Sequence, residues 1–540
     1  MKKHNASKVV LITILVFLLL TWILPAAYYS SEYVDQGRVQ MGFFDLFNYP
    51  LTSLSYFGYI AFFLILVGGF YGILYKIPAY RNFLDKIVDV FKGHEIWFVS
   101  IISVLVATLV SICGVQLGIA LFIPFIVSLV LLMGYDKIVA AFVTVGSIAA
   151  GLIGTTYASG NTSLLMNALS LETKNNYPVI LRFCILIGCL MLLIFNMIMY
   201  IKRHSTGVKI EKKTVRKVEE ISEKVVEDKV EVSKKETTSK KTTTKSSKNS
   251  KSTGKKSAKK SSSKSRRSDN KAALKEEDII VVKESMMEEE FVPKTVARSH
   301  RVWPFVLTFS LLFILFVLAF IPWSAFKITF FDEVTTAVKE FTLFKFPIFS
   351  KVLGTVNSFG NWSITDLFFP MAFVVTLLGL IYNLSFEDAY EGFVEGAKKA
   401  LAPAAIVILL YTVLVLVTYH PFQLVIYKAI LGLFKGFNVA TTTLVGLLAG
   451  LFNVDISYSF QSVVPYYTSV ITNTDVYKLS AVIFQTMYGF TVLVAPTSLT
   501  LMATLAYLNI PYKSWLKNTW KFLVEVFVVL LILFIILALV

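Results

Sequence analysis

The sequence predicts an all-α polytopic membrane protein, built as two inverted repeats with re-entrant hairpins and broken helices, plus a disordered cytoplasmic insert. Three observations lead there. The 540 residues are 56% hydrophobic and 16% charged, with a mean hydropathy of +0.68; a soluble chain is about half apolar and a quarter charged. The apolar residues run in blocks such as Val9 to Ala27 and Phe522 to Val540. Each block suits the roughly 20 helical residues that cross a hydrocarbon layer about 30 Å thick. Lipid offers an open backbone no hydrogen bonds, and the blocks lack the alternation of a transmembrane barrel, so helices are expected. Finally, one block in each half ends in a run of helix-breaking residues.

In chain order, the first half is expected to span near 8–28, 57–76, 96–113, 115–133, 138–157 and 179–201. The second half is expected to span near 303–323, 366–383, 402–418, 422–435, 440–453, 476–494 and 520–540. Pro25-Ala26-Ala27 has a trace of a cleavage region, but the first block is long and is read as a span. Stretches 80–92 and 385–399 are polar on one side and apolar on the other, and are expected to lie along the membrane surface. The division is a membrane repeat over 1–204, an insert over 205–300 and a second membrane repeat over 301–540.

The insert holds 26 Lys and Arg against 16 Asp and Glu, which accounts for much of the formal net charge of +17. Lys234 to Lys271 is mostly Lys, Ser and Thr, without the apolar mass to offset the entropy of folding. It reads either as a solvated linker whose charge fixes topology or as a contact for anionic lipid headgroups or RNA. Both readings place it in the cytoplasm. Lys2, Lys3 and Lys8, then Lys76, Arg81, Lys86 and Lys92, then Lys202 and Arg203 fall on that same side. Residues 29–57, with Arg38 alone, fall outside. The expected location is a bacterial cytoplasmic (inner) membrane with a cytoplasmic N-terminus. In the second half, Lys398, Lys399, Lys513, Lys517 and Lys521 give no unique solution.

The breaks carry the functional signal. Val115 to Met133, with Pro124, is followed by Gly134-Tyr135-Asp136-Lys137 and a span that dissolves into Gly154-Thr155-Thr156-Tyr157-Ala158-Ser159-Gly160-Asn161-Thr162-Ser163. Phe452 to Ile471, with Pro465, is followed by Thr472-Asn473-Thr474-Asp475 and a span that breaks at Ala495-Pro496-Thr497-Ser498-Leu499-Thr500. Asp136 and Asp475 are expected to cap the helices that follow them. A break at membrane depth survives only against protein or a watery cavity. The half-helix beyond it turns free N–H groups and a positive dipole end inward, which favours an anion such as a carboxylate. Paired breaks in two halves point to a transporter site.

Several segments resemble the YfcC-like, C4-dicarboxylate anaerobic carrier family of the wider ion transporter superfamily, which includes arginine–ornithine antiporter-like members. They are Leu20-Thr21-Trp22-Ile23-Leu24-Pro25-Ala26, Gly69-Phe70-Tyr71-Gly72-Ile73-Leu74, Leu131-Leu132-Met133-Gly134-Tyr135-Asp136, Phe393-Val394-Glu395-Gly396-Ala397-Lys398, and Ala495-Pro496-Thr497-Ser498 followed by Ile510-Pro511-Tyr512-Lys513. The resemblance covers both membrane halves and excludes the insert. It implies inverted repeats, re-entrant hairpins and a carboxylate-type substrate moved by a Na⁺ or H⁺ gradient or by exchange. On it, Pro496, Thr497 and Ser498 line the site, with Ser159, Gly160, Asn161 and Thr162 at the first break. The family's proline is missing from that first break, and Gly114-Val115-Gln116-Leu117-Gly118 has no acidic residue. Dicarboxylates, basic amino acids and short-chain acids all remain open. Replacing Thr497 by Val and Ser498 by Ala is expected to abolish transport and leave folding intact.

Intramembrane acids are few. Asp455, beside the second hairpin, and Thr155 are candidates for a coupling ion; Glu525 is read as lying near the end of the last span. No HExxH, GxSxG or Walker-type loop occurs, so no enzyme and no cofactor is expected. Cys113, Cys184 and Cys189 read as free thiols, and His420 as a satisfied interfacial residue. Expected partners are a small carboxylate or amino-acid substrate, the bilayer, anionic lipid at the insert and a second copy of the chain. An ion channel or a non-transporting scaffold is the alternative.

Overall fold

The computed structural model describes residues 5–157, 159–171, 178–204, 291–293, 301–343, 346–354 and 357–539. Residues 1–201 and 291–540 make one compact unit, and residues 202–290 a second. The first is described below. The expected disorder of the insert lies outside the described residues, except at its end: Phe291 is buried in the membrane unit, and its carbonyl accepts from Ser128 Oγ (2.7 Å) and Tyr75 Oη (3.1 Å).

Helix α1 (Asn5–Ile23) stops just short of Pro25, and the chain turns into a hairpin of β1 (Ala26–Tyr29) and β2 (Tyr33–Gly37). The expected 8–28 span is therefore shorter at its end. Then come α2 (Asp45–Lys76), α3 (Pro78–Val90), α4 (Glu95–Cys113), α5 (Ile123–Leu132), α6 (Lys137–Ile153), α7 (Ser159–Ala168) and α8 (Val179–His204). The second half holds α9 (Trp303–Phe320), α10 (Phe330–Glu340), α11 (Ile348–Leu353), α12 (Phe368–Ile381) and α13 (Phe386–Tyr419). It ends with α14 (Gln423–Leu431), α15 (Val439–Phe452), α16 (Ile456–Val470), α17 (Tyr477–Val494), α18 (Leu499–Leu508) and α19 (Tyr512–Leu539). Among the described residues, eight stretches are long and apolar enough to cross a membrane: α1, α2, α4, α8, α9, α13, α19, and Thr474–Leu508, which joins α17 to α18. The exposed faces of α1 (Leu11, Ile12, Leu15, Leu19) and α19 (Val528, Val529, Ile532, Ile536) are apolar, as lipid requires. The chain is a multi-pass membrane protein.

Several expected boundaries move for identifiable reasons. The 115–133 span shrinks to α5, because Gly114 turns left-handed (φ 68°), Gly118–Leu121 is a 3-10 turn and Pro124 sits at the start of the helix. The 422–435 span is the nine-residue α14, too short to cross. Stretch 385–399 is no separate surface helix; it is the first half of α13, which runs unbroken through Pro403. Stretch 80–92 does form a separate amphipathic helix, α3, burying Ala79, Tyr80, Phe83 and Leu84 and pairing Arg81 with Asp85 (2.9 Å). Amphipathic α10, none of whose residues is buried, was not foreseen.

The two repeats are visible element by element. Helices α2 to α8 match α13 to α19 in order: a very long helix of 32 or 34 residues, a short helix, a helix leading into a hairpin, the returning arm of that hairpin, a helix ending in a break, a ten-residue half-helix, and a closing helix. The long helices run antiparallel, as inverted repeats require. Tyr49 lies at Tyr419 and His420, Ser53 Oγ donates to the Ile408 carbonyl (2.8 Å), and Lys76 pairs with Glu391 (3.0 Å). Their seam is made of Gly68, Gly69 and Gly72 against Gly392, Gly396 and Ala400. A Cβ on Gly396 would lie 2.0 Å from the Gly68 carbonyl oxygen, and one on Gly72 2.0 Å from that of Gly392. In lipid, close approach of small residues replaces the hydrophobic drive that water would supply.

One side of the unit gathers Tyr75, Arg81, Lys137 and Tyr507 around Phe291 and Pro293. The other carries the β-hairpin, where Ala27 N donates to the Pro421 carbonyl (3.0 Å) and Lys428 lies over the Tyr33 ring.

Candidate functional site

The broken helices α6 and α17 cross each other. A Cβ on Gly489 would meet Ile153 N at 2.4 Å, so only glycine permits this approach. The first break, Gly154 to Tyr157, begins one residue past the crossing. The second, Ala495 to Ser498, begins six residues past it, about 9 Å along a helix. Both therefore open near one place.

Each break is stitched to the last turn of the helix two elements earlier, whose final carbonyls have no intrahelical partner. In the first repeat, Ser111 of α4 donates to the Gly154 carbonyl (2.6 Å), while the Ser111 carbonyl accepts from Thr156 N (2.9 Å) and Thr156 Oγ1 (3.2 Å). In the second, Thr497 Oγ1 donates to the Leu451 carbonyl of α15 (2.6 Å). Ser498 caps α18, accepting from Leu501 N (3.3 Å) and donating to the Val492 carbonyl (3.1 Å). Pro496, just before Thr497, is half-buried.

Ser159, Gly160, Asn161 and Thr162 prove to be the first turn of α7 rather than a continued loop. They supply the orphan N–H groups at its N-terminus. Gly160 is exposed and Thr162 buried; the side chains of Ser159 and Asn161 lie outside the described residues. Because the hydroxyls of Thr497 and Ser498 bridge backbone groups, Thr497→Val with Ser498→Ala should touch folding as well as transport. Each substitution is expected to lower stability by about 1–2 kcal/mol, read from thermal unfolding.

Thr155 and Asp455 fall in different corners of this region. Thr155 Oγ1 accepts from Gln485 Nε2 (3.1 Å), and Gln485 Oε1, buried beside it, has no hydrogen-bond partner. That oxygen can receive a donor or a cation. Asp455 caps α16 through Ser457 N (2.8 Å) and lies within electrostatic reach of Tyr488, next to the crossing. Gln116, at the tip of the first hairpin, reaches the Tyr488 hydroxyl at 3.5 Å, and Phe460 of α16 meets the Tyr488 ring edge-on. Tyr488 thus touches elements from both hairpins. Behind it, Asn453 bonds Gln423 (3.1 Å) and Ser462 (3.2 Å) in a buried amide cluster.

Arg182 is the residue the sequence reading overlooked. It sits in the first turn of α8, where basic residues usually mark a membrane border, yet it is fully buried. Its guanidinium donates to Thr486 Oγ1 (2.9 Å) and the Ala481 carbonyl (2.9 Å) of α17, and Thr486 in turn reaches the Ile153 carbonyl at 3.4 Å. A strong positive charge thus stands beside the first break. The equivalent place on α19 holds buried Trp515, which donates to the Leu493 carbonyl (2.9 Å) and packs on Phe142 of α6. Arg182 thus ties α8 to the broken helix of the other repeat, while Trp515 ties α19 to both broken helices.

A family model, C4-dicarboxylate anaerobic carrier, matches residues 5–249 and 273–539. The chain belongs to the C4-dicarboxylate anaerobic carrier family. Neither the curated proteins nor the solved structures returned a match. Membership of this carrier family fits the anion-attracting chemistry at the crossing: one arginine, two half-helix N-termini and a lining of hydroxyls and amides.

Other singled-out residues have local explanations. Asp136 caps α6 at Val139 N (2.9 Å) and accepts from Tyr200 (2.6 Å). Asp475 does not cap α17, which has no side-chain cap; Asp475 lies in the 3-10 turn Thr474–Val476 before it, a turn capped by Asn473, which accepts from Asp475 N (3.0 Å). His420 has both ring nitrogens engaged, with Tyr49 Oη and the Val39 carbonyl, each at 2.7 Å.

Proposed function

We propose that the chain is a secondary active carrier of a C4-dicarboxylate, working by symport with Na⁺ or H⁺ or by exchange. The family match supports the substrate class. The observation that carries the mechanism is the crossing of α6 and α17 at Gly489, which puts both breaks and the Arg182 guanidinium in one region. One substrate carboxylate is met by the first turn of α7, at Ser159 to Thr162, and by Arg182. The other is met from the second break, at Pro496, Thr497 and Ser498, where the positive end of α18 faces it. Thr155, Gln485 and Asp455 offer the oxygens a cation would require. Alternating access follows if one repeat rocks against the other about the crossing.

The side bearing Lys76, Arg81, Lys137, Lys398, Lys399, Lys513, Lys517 and Lys521 is the cytoplasmic one, by its excess of basic residues. That choice also places the insert inside, and it assigns the second-half lysines that sequence alone left open.

A thermal-shift screen of the purified protein tests the substrate class. A C4-dicarboxylate at about 100 times its dissociation constant should stabilise the fold by about 2.7 kcal/mol. The monocarboxylate of the same length should give a smaller shift. Equal shifts with basic amino acids would overturn the assignment.

A further inference from the structure

We infer that Glu525 is the protonation site that couples this carrier to a pH gradient; the inference rests on the carrier reading and deepens it. Glu525 is the fourteenth of the 28 residues of α19, about 20 Å from either end. It follows Lys521 by one turn and is the fourth residue of the apolar run 522–539, so it lies inside the span but toward its basic end, as the sequence suggested. Val524, Val528 and Val529 beside it are exposed on the apolar outer face, and Glu525 is half-buried between that face and the core. A carboxylate inside an apolar span is costly and marks function by default.

Its surroundings suit a group that gains and loses a proton. Glu525 Oε2 accepts one short hydrogen bond, 2.6 Å, from Asn196 Nδ2 of α8, and that amide also donates to the Leu192 carbonyl (3.0 Å). The ion pairs among the described residues are Lys76 with Glu391 and Glu395, and Arg81 with Asp85. No cation holds Glu525 in place among them. A neutral amide donor supports the carboxylate while α8 and α19 stay together. One turn further along α8, Tyr200 bonds Asp136 of α6, so polar groups continue from Glu525 toward the basic side.

The other charged groups on the elements around Glu525 are Lys513, Lys517 and Lys521 on α19, the last one turn before it; Arg182, Lys202, Arg203 and His204 on α8; Lys137 on α6, with Asp136 just before it; Lys8 on α1; and Lys478 on α17; α15 has none. The rings flanking Glu525 on α19 tie it to the machinery: Phe522 packs on Phe142 of α6, and Phe527 on Phe490 of α17. Movement of either broken helix therefore bears on the Glu525–Asn196 contact.

The test uses the full chain in proteoliposomes with labelled succinate, comparing counterflow at equal pH with uptake driven by an inward proton gradient. Glu525→Gln keeps the carboxyl's shape but binds no proton. It should retain counterflow and lose gradient-driven accumulation. Asn196→Leu should shift the external pH at which uptake is half-maximal. Accumulation by Glu525→Gln equal to the wild type would overturn the inference. If Glu525→Gln loses counterflow as well, Glu525→Asp decides: recovery of proton-driven uptake supports the coupling role, and failure of both activities shows a structural one. A wild-type protein with no counterflow would instead sink the carrier reading itself.

Discussion

Arg182→Gln should lower affinity for a C4-dicarboxylate by about 10- to 100-fold, the value of one to two charge-assisted hydrogen bonds lost from a buried site. The variant removes the charge and, because glutamine is shorter, also gives up the guanidinium's donation to Thr486 and the Ala481 carbonyl. Affinity for a monocarboxylate, which can bind at the half-helix ends alone, should fall less. That contrast separates two roles. If Arg182 only braces α8 against α17, both ligands weaken together and the unfolding midpoint drops. If it holds a carboxylate, the preference for the dianion collapses at a modest cost in stability. Arg182→Lys should restore charge but not the planar two-pronged fork, and so recover affinity only in part. Isothermal titration with paired di- and monocarboxylates reads the outcome.

Gly396→Val should prevent the long helices from docking and so abolish both the fold and transport. The added Cβ would sit 2.0 Å from the Gly68 carbonyl oxygen and 2.8 Å from Gly72 Cα. Both neighbours are backbone in the middle of a helix, so neither can swing aside. Ordinary overpacking costs about 1–3 kcal/mol; prying apart a whole helix seam should exceed that range, and yield of monodisperse protein in detergent reports it. Gly37→Val is the control in the opposite sense. That glycine has open space around it, and its positive φ (69°) is the only objection, so a local strain of about 1–2 kcal/mol is expected.

Much of this architecture was legible because lipid imposes simple rules. Apolar blocks had to be helices, and runs such as Gly154-Thr155-Thr156 or Ala495-Pro496-Thr497 had to be breaks. What the sequence obscured depended on contacts between distant residues. Stretch 385–399 looked like a surface helix because its Glu and Lys residues are polar, but Gly392 and Gly396 needed α2 as a partner before their face made sense. Arg182 was passed over because its burial comes from α17, some 300 positions later. The uses of Thr497 and Ser498 were likewise hidden: the types were right for a binding site, yet both hydroxyls close backbone gaps.

The most direct test of the central claim is counterflow of labelled succinate in proteoliposomes preloaded with unlabelled succinate. A secondary carrier predicts a transient accumulation of label above its external concentration, saturable and abolished by removing internal substrate. Label that only equilibrates, at a rate indifferent to internal succinate, would contradict the account and indicate a channel.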